Sequence, residues 1–375
     1  MVRKIQTVFI VAVMILGTVS VVALSNESDA AITVKDGEGT SFTFSSPADK
    51  VMTIGVGMTA TVIGIGCLDK IVVCDSYSKT NADPLFDNLR NYVDEGKIAA
   101  GGNIYSSGKQ QLMIDMISSS DPDTGSFDKD KDVVLAVVSP SYKANLSFLE
   151  EKGFKNVMYW DSSVGSYEDI IEFVETVSMV CKGKVDSNAG QMRAVSEMIS
   201  STLAKEKPKT AEAFYITYSG GGYKVGNTSS LTTVMIEAAG GNVITKDPSK
   251  SQSTIEVSLP ILKQDHPDAV IFADSQIASS PEHLKYLRDI FSDDAKIVAL
   301  ENIWNNFSIE SAKGVWTMAS ALYPDLFNGD VPEAGGSDDN TLLYVAASIV
   351  AVVIILAVAF LFMRSSKHTS KRKNE

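Results

Sequence analysis

Short runs of β-branched and aliphatic residues alternate along this chain with stretches whose apolar positions recur every three to four residues, the layering of an α/β protein. Strands are predicted at 51–54, 71–74, 133–138, 157–160, 213–217, 269–272 and 297–300, and they fall into two groups. Between the groups, Ser166 and Asp169 form a capping pair, and Ile170, Val174, Val177 and Cys181 repeat at helical spacing. Gly183 breaks that run. Val195, Met198, Ile199 and Leu203 then mark one face of a second helical stretch, which Pro208 ends. The pattern predicts a lobe over 31–165, a helical connector over 166–208 and a second lobe over 209–327.

Hydrophobicity without polar interruption marks both ends. Residues 342–363 carry no charge and are followed by Arg364, Lys367, Lys371, Arg372 and Lys373. At roughly 1.5 Å per residue, a helix of that length crosses a hydrocarbon core of about 30 Å. Basic flanks stay on the cytoplasmic side, so a transmembrane helix is predicted at 342–363, a cytoplasmic tail at 364–375, and everything before it outside. The Gly-, Pro- and Asp-bearing segment 328–341 reads as a stalk. At the other end Arg3 and Lys4 precede an apolar stretch, and small residues follow at Ala23, Ser25, Ser28 and Ala30. That is the layout of a secretory signal peptide over 1–30, cleaved after Ser25 or Ala30; an uncleaved signal anchor is the alternative. No cysteine precedes Cys67, so the C-terminal helix is left as the tether.

Charge and composition narrow the function. The chain has a net charge of −13, and without the basic residues of its two ends the remainder falls to about −19. Such a surface repels phosphate backbones, which argues against nucleic acid as a partner. Cys67, Cys74 and Cys181 form no CxxC pair; they allow one disulfide or three buried thiols. His266 and His283 are not at metal-ligand spacing, and no GxSxG or Ser/Lys motif occurs, so neither a metal enzyme nor another hydrolase is expected. No cofactor is expected. The acidic stretch 118–131 reads as a surface loop.

Residues 50–75 satisfy a loose dinucleotide-binding fingerprint, with Gly55 and Gly57 after a strand and Asp75 ending the next strand. A tight strand-to-helix turn explains the same residues without a nucleotide. A better match is longer. Segments 34–37 (VKDG), 47–51 (PADKV), 59–66 and 69–75 (DKIVVCD) follow in order the opening motifs of the iron-siderophore and cobalamin substrate-binding proteins of ABC importers. Segment 226–242, with Ala239, Gly240, Gly241 and Asn242 its most specific piece, and 266–272 (HPDAVIF) continue the match. The chain thus resembles that family over about residues 32–327.

The resemblance implies two Rossmann-like α/β lobes joined by a long helix, with a ligand held between them and delivered to a membrane permease. It also places the loops after the strands at the cleft. There the chain offers Tyr77, Asn103, Tyr105, Ser139, Tyr142, Tyr223, Asn227, Gln276 and Trp304 as ligand-binding residues. Flat rings among small polar groups suit a large, partly apolar ligand. Only Arg90, Arg193 and Arg288 lie between signal and anchor, and none falls in these loops. Strongly anionic chelates call for guanidinium clusters, so a corrinoid or a near-neutral iron chelate is the expected partner. Haem would need an axial ligand such as Tyr77 or Tyr142. The family's permease-docking acids are missing: Gln110 or Gln111 stands in one lobe and Pro260 in the other, leaving Glu256 as a substitute. A surface-anchored binding or sensor protein without transport is the alternative reading.

Overall fold

The computed structural model describes residues 31–105 and 127–332. The chain opens with a hairpin, β1 (Ile32–Lys35) and β2 (Ser41–Phe44). The first lobe follows as β3 (Val51–Ile54), α1 (Val56–Gly64), β4 (Ile71–Cys74), α2 (Ser76–Thr80), α3 (Asp87–Asp94), β5 (Ala99–Ala100), β6 (Val133–Val138), α4 (Pro140–Lys143), α5 (Ser147–Glu151) and β7 (Val157–Asp161). Its sheet is wholly parallel, in the order β5-β4-β3-β6-β7. Strand order therefore reverses between β3 and β6. In open α/β sheets the crevice beyond such a reversal is where ligands sit.

The predicted connector is two helices, α6 (Tyr167–Lys182) and α7 (Ser187–Glu206). Ser166 Oγ accepts from the Asp169 amide at 3.3 Å, and the Asp169 carboxylate accepts from the Ser166 amide at 2.8 Å, which completes a capping box. Gly183 ends α6 at φ 75°, a left-handed conformation that favours glycine. Ile170, Val174, Val177 and Cys181 are fully buried. On α7 the buried stripe is Ala189, Met192, Val195 and Ile199, whereas Met198, which was expected on that face, is 41 % exposed. One residue before Ile199, it points about 100° away around a 3.6-residue helix.

The second lobe contains β8 (Glu212–Ser219), β9 (Gly222–Gly226), α8 (Leu231–Ala238), β10 (Asn242–Val243), β11 (Thr254–Ile255), α9 (Leu259–Asp265), β12 (Val270–Ala273), α10 (Ser275–Ala278), α11 (Pro281–Phe291), β13 (Ile297–Ala299) and α12 (Ser311–Leu322). Its sheet runs β11-β9-β8-β12-β13, with the short β10 also on β8. β8, β10, β12 and β13 are parallel, while β9 folds back on β8 through Gly220 and Gly221 at φ 62° and 83°. Two positive-φ residues make the turn that matches strand twist in a two-residue hairpin.

Strand alternation explains how the lobes share one core. Val51, Val133, Leu135 and Val137 of the first sheet, and Ala213, Tyr215, Val270 and Phe272 of the second, join a single cluster with the connector helices. Met52, Ile54, Val134 and Ala136 face a separate core under the first lobe, and Phe214, Ile216 and Ile271 face one under the second. Both faces of each central strand are covered, which is why these strands read as unbroken apolar runs. A loop of the second lobe adds another bridge. The Phe307 carbonyl accepts from Thr61 Oγ1 at 3.1 Å, its ring meets Phe173 edge-on at 5.5 Å, and Tyr167 and Ser311 hydroxyls pair at 3.1 Å.

Cys67, Cys74 and Cys181 are free and buried. No helix among the described residues is long and apolar enough to cross a membrane. The expected signal (1–30), anchor (342–363), tail (364–375) and most of the stalk, together with Gln110 and Gln111, lie outside the described residues.

Candidate ligand cleft

The turn after β3 forms the floor of a cleft between the lobes. Gly55 has φ 99°, and a Cβ there would collide with the Val137 carbonyl of the neighbouring strand β6. Asp75, at the end of β4, holds this turn from the other side. Its Oδ2 accepts from the Gly55 amide at 2.6 Å, and its Oδ1 accepts from the Tyr77 and Ser78 amides at 2.8 and 2.9 Å, capping α2. The acidic residue that completed the nucleotide-like fingerprint is therefore 1 % exposed and occupied by backbone amides. Burial raises its pKa, opposed by the amides of Ser78, Gly55 and Tyr77.

The cleft measures about 700 Å³ and takes its walls from both lobes. The first lobe contributes Gly55, Val56 and Gly57, Asp75, Tyr77, Tyr105, Ser139, Ser162 and Ser163; the second contributes Tyr215, Thr217, Ser219, Ser229, Ser230, Ser253, Thr254, Asn305 and Asn306. Among the described residues, no lysine, arginine or histidine lines it, and Asp75 is its one ionisable carboxyl. Hydroxyls dominate. Tyr105 is pushed up to about 12 by burial and by Asp75, Tyr77 and Tyr142 around it, and Tyr215 to about 12 by burial and Asp274. Both phenols thus keep their protons at neutral pH and act as hydrogen-bond donors.

The sequence-selected residues divide between this cleft and other places. Tyr77, Tyr105 and Ser139 line it. Tyr142 stands behind Tyr105, edge-on at 4.8 Å, and Tyr77 meets Tyr105 at 5.7 Å, so three rings form one rim. Asn103 is buried and supports that rim, its Oδ1 accepting from the Tyr105 amide at 2.9 Å. Asn227 is also buried. Its Nδ2 donates to the carbonyls of Lys250 and Gln252 at 3.0 and 2.9 Å, which shapes the loop presenting Ser253 and Thr254. Tyr223 lies on a separate aromatic group, with its hydroxyl 2.7 Å from His283 Nδ1 and its ring stacked on Tyr286 at 4.6 Å. Gln276 is exposed on α10. Trp304 is half-buried beside Gly314 of α12, where its Cβ and a glycine Cβ would be 3.0 Å apart. Glu256 is exposed immediately after β11, the edge strand.

Sequence reasoning missed Tyr215, Thr217 and the serines at 162–163 and 229–230. Tyr215 and Thr217 sit inside a strand that reads as core. Both border the cleft from within β8, Tyr215 while largely buried; there the Asn305 amide donates to Tyr215 Oη at 3.2 Å and Thr217 pairs with Asp274. The strand-end rule applied to β8 would have found Thr217; the serines carry no local signal.

No sequence family matches the chain, and no curated protein is similar to it in sequence. Solved structures are. Helicobacter pylori CeuE with Ni(II) bound is 13% identical, aligning 79% of this chain with 90% of that one at a TM-score of 0.56. A Saccharomonospora viridis protein of an ABC-type Fe3+-hydroxamate transport system is 16% identical over 78% and 98% of the two chains, at 0.53. The periplasmic vitamin B12 binding protein BtuF of Vibrio cholerae is 18% identical over 74% and 97%, at 0.50. The chain has the fold of these periplasmic binding proteins: two α/β lobes joined through helices.

Proposed function

We propose that this protein is a membrane-anchored, extracytoplasmic substrate-binding protein that captures a corrinoid or a near-neutral iron chelate between its lobes and delivers it to an ABC importer. The observation that carries the ligand class is the cleft wall: hydroxyls, amides and protonated phenols, with no cation among the described residues that line it. A highly anionic chelate buried there would leave its charge unpaired, which is unfavourable by several kcal/mol. A corrin with amide side arms, or a trihydroxamate whose iron is neutralised by its ligands, presents carbonyls to those donors and apolar edges to Tyr77 and Tyr105. Residues 1–30 and 342–363 supply export and anchoring by their composition.

The test is calorimetric titration of the detergent-solubilised full chain with cyanocobalamin, a ferric trihydroxamate, a ferric catecholate and haemin. A dissociation constant in the micromolar range or tighter, roughly −8 kcal/mol or more favourable, is expected for one of the first two. Preference for the catecholate would reject the reading. Binding without permease association would favour a sensor of the same fold, a reading supported by the absence of the usual docking acids.

A further inference from the structure

We infer that Cys67 and Cys181 are a disulfide site, a covalent staple between the first lobe and the connector. Cys67 lies three residues after α1, its amide donating to the Val62 carbonyl at 3.0 Å. Cys181 is the penultimate residue of α6, and both thiols belong to the shared core. Hydrogen bonds on either side hold the two segments together: the Ala48 amide donates to the Val180 carbonyl at 2.8 Å while its carbonyl accepts from Lys70 Nζ at 2.7 Å, and Asn188 Nδ2 donates to the Gly64 carbonyl at 2.9 Å. The surrounding backbone is pinned at the same place: Lys182 Nζ donates to the Ile65 carbonyl at 3.0 Å and also pairs with Asp186. Cys74, in β4, is buried with no cysteine beside it and is not part of the pair.

The chemistry is thiol–disulfide exchange with a disulfide oxidant, either an oxidoreductase or a small-molecule disulfide. One thiolate attacks a sulfur of the oxidant and expels its first thiol. The second cysteine then attacks that mixed disulfide and expels the other thiol. Two electrons pass to the oxidant, and the two cysteine protons end on its thiols. In the finished fold the neighbouring Cys181 thiol, with Lys182 and Lys70, draws the Cys67 thiol below its usual range against the effect of burial. Because both sulfurs are buried in the finished fold, the bond forms as the chain folds, outside the reducing cytosol. The inference depends on the extracytoplasmic reading for its oxidant and not on the identity of the ligand.

Closure of a loop of about 115 residues restricts the unfolded chain, which for a protein this size raises the melting midpoint by roughly 5–10 °C. The staple lies at the end of α1 remote from Gly55, so it fixes the connector without touching the cleft. The full chain would be unfolded and refolded in a glutathione redox buffer, trapped by alkylation, and mapped without reduction. A Cys67–Cys181 peptide with Cys74 alkylated is expected, together with a melting midpoint 5–10 °C above the reduced protein. Cys67→Ala and Cys181→Ala should each abolish that redox difference, and Cys74→Ala should keep it. A link through Cys74, complete alkylation of Cys67 and Cys181 after refolding, or a linked protein that melts with the reduced one would overturn the inference. Cyanocobalamin and ferric trihydroxamate titrations of the same samples report on the cleft separately.

Discussion

Replacing Tyr105 by alanine tests the cleft most directly. The ring lies between Tyr77 at 5.7 Å and Tyr142 at 4.8 Å and faces the cavity. Each edge-on pair contributes about 0.5–1.5 kcal/mol beyond area burial, so the free protein should lose about 1–3 kcal/mol. Ligand affinity should fall as well, because a central aromatic anchor is commonly worth about 2 kcal/mol or more, roughly thirtyfold. Tyr105→Phe keeps the rings and removes one hydroxyl donor, and should weaken binding by about 0.5–1.5 kcal/mol with little change in melting. Trp304→Ala is the control. The indole packs beside Gly314 and away from the cleft, so its removal should reduce stability by about 2–3 kcal/mol, below the fully buried range, and leave affinity unchanged. Thermal melts and titrations with cyanocobalamin and a ferric trihydroxamate would measure both quantities. Unaltered affinity in Tyr105→Ala together with a tenfold loss in Trp304→Ala would show that the ligand sits against the wrong wall.

Asp75→Asn keeps the shape of the buried carboxyl but changes its response to pH. Burial raises the folded-state pKa of Asp75 above its ordinary 3.8, so protonation favours the fold; its contribution is fully present below 3.8 and is lost as pH rises through the raised value. Wild type should therefore gain stability relative to Asp75→Asn as pH falls from 7 to 4, and a constant gap across that range would refute the assignment. Gly57→Val should destabilise the protein by about 1–3 kcal/mol, since a Cβ there stands 2.7 Å from the Phe307 carbonyl; hydrogen exchange should rise in the 303–309 loop, and unchanged exchange would contradict the bridge. Glu256→Ala should weaken association with a permease while ligand affinity holds, because exposed charges tune docking more than fold; equal uptake by the variant would dismiss Glu256 as the docking acid.

Much of the lobe architecture was legible because its central strands are covered on both faces. Runs such as Val133–Val138 have no polar position to blur their ends, and the sequence-based and observed bounds of β3, β4 and β6 coincide. The connector was legible through its cap at Ser166 and its stop at Gly183. Edges were harder. β1, β2, β9 and β11 are short, half-exposed strands whose residues also suit loops, and pairing with a neighbour decides them. The strand-end rule leads to Tyr77, Tyr105 and Ser139, which line the candidate cleft. It led elsewhere for Tyr223 and Asn227, because the second lobe departs from simple β-α alternation: β9 returns antiparallel on β8, and the residues after that hairpin turn toward His283 or into the 247–253 loop.

The same architecture sets how the cleft can discriminate. Its two walls are connected through α6, α7 and the Phe307 loop, all within one continuous core, and opening them widely would break the Thr61–Phe307 and Tyr167–Ser311 bonds and expose Phe173. Bonds of this kind are worth about 0.5–1.5 kcal/mol each, and baring a large apolar side chain costs about 1.5–3 kcal/mol more. A hinge that swings by tens of degrees is thus unfavourable, and small lobe shifts are not. With nearly fixed width and no cation among its described lining residues, a ligand cleft of this kind would select by shape and by where a ligand places its acceptors. A bulky, rigid ligand gains most from such a site, because it has little conformational entropy left to lose on binding. Macrocyclic corrinoids and iron-closed hydroxamates share that rigidity, whereas the iron-free hydroxamate does not, so loading with iron should strengthen binding even without a protein group that touches the metal.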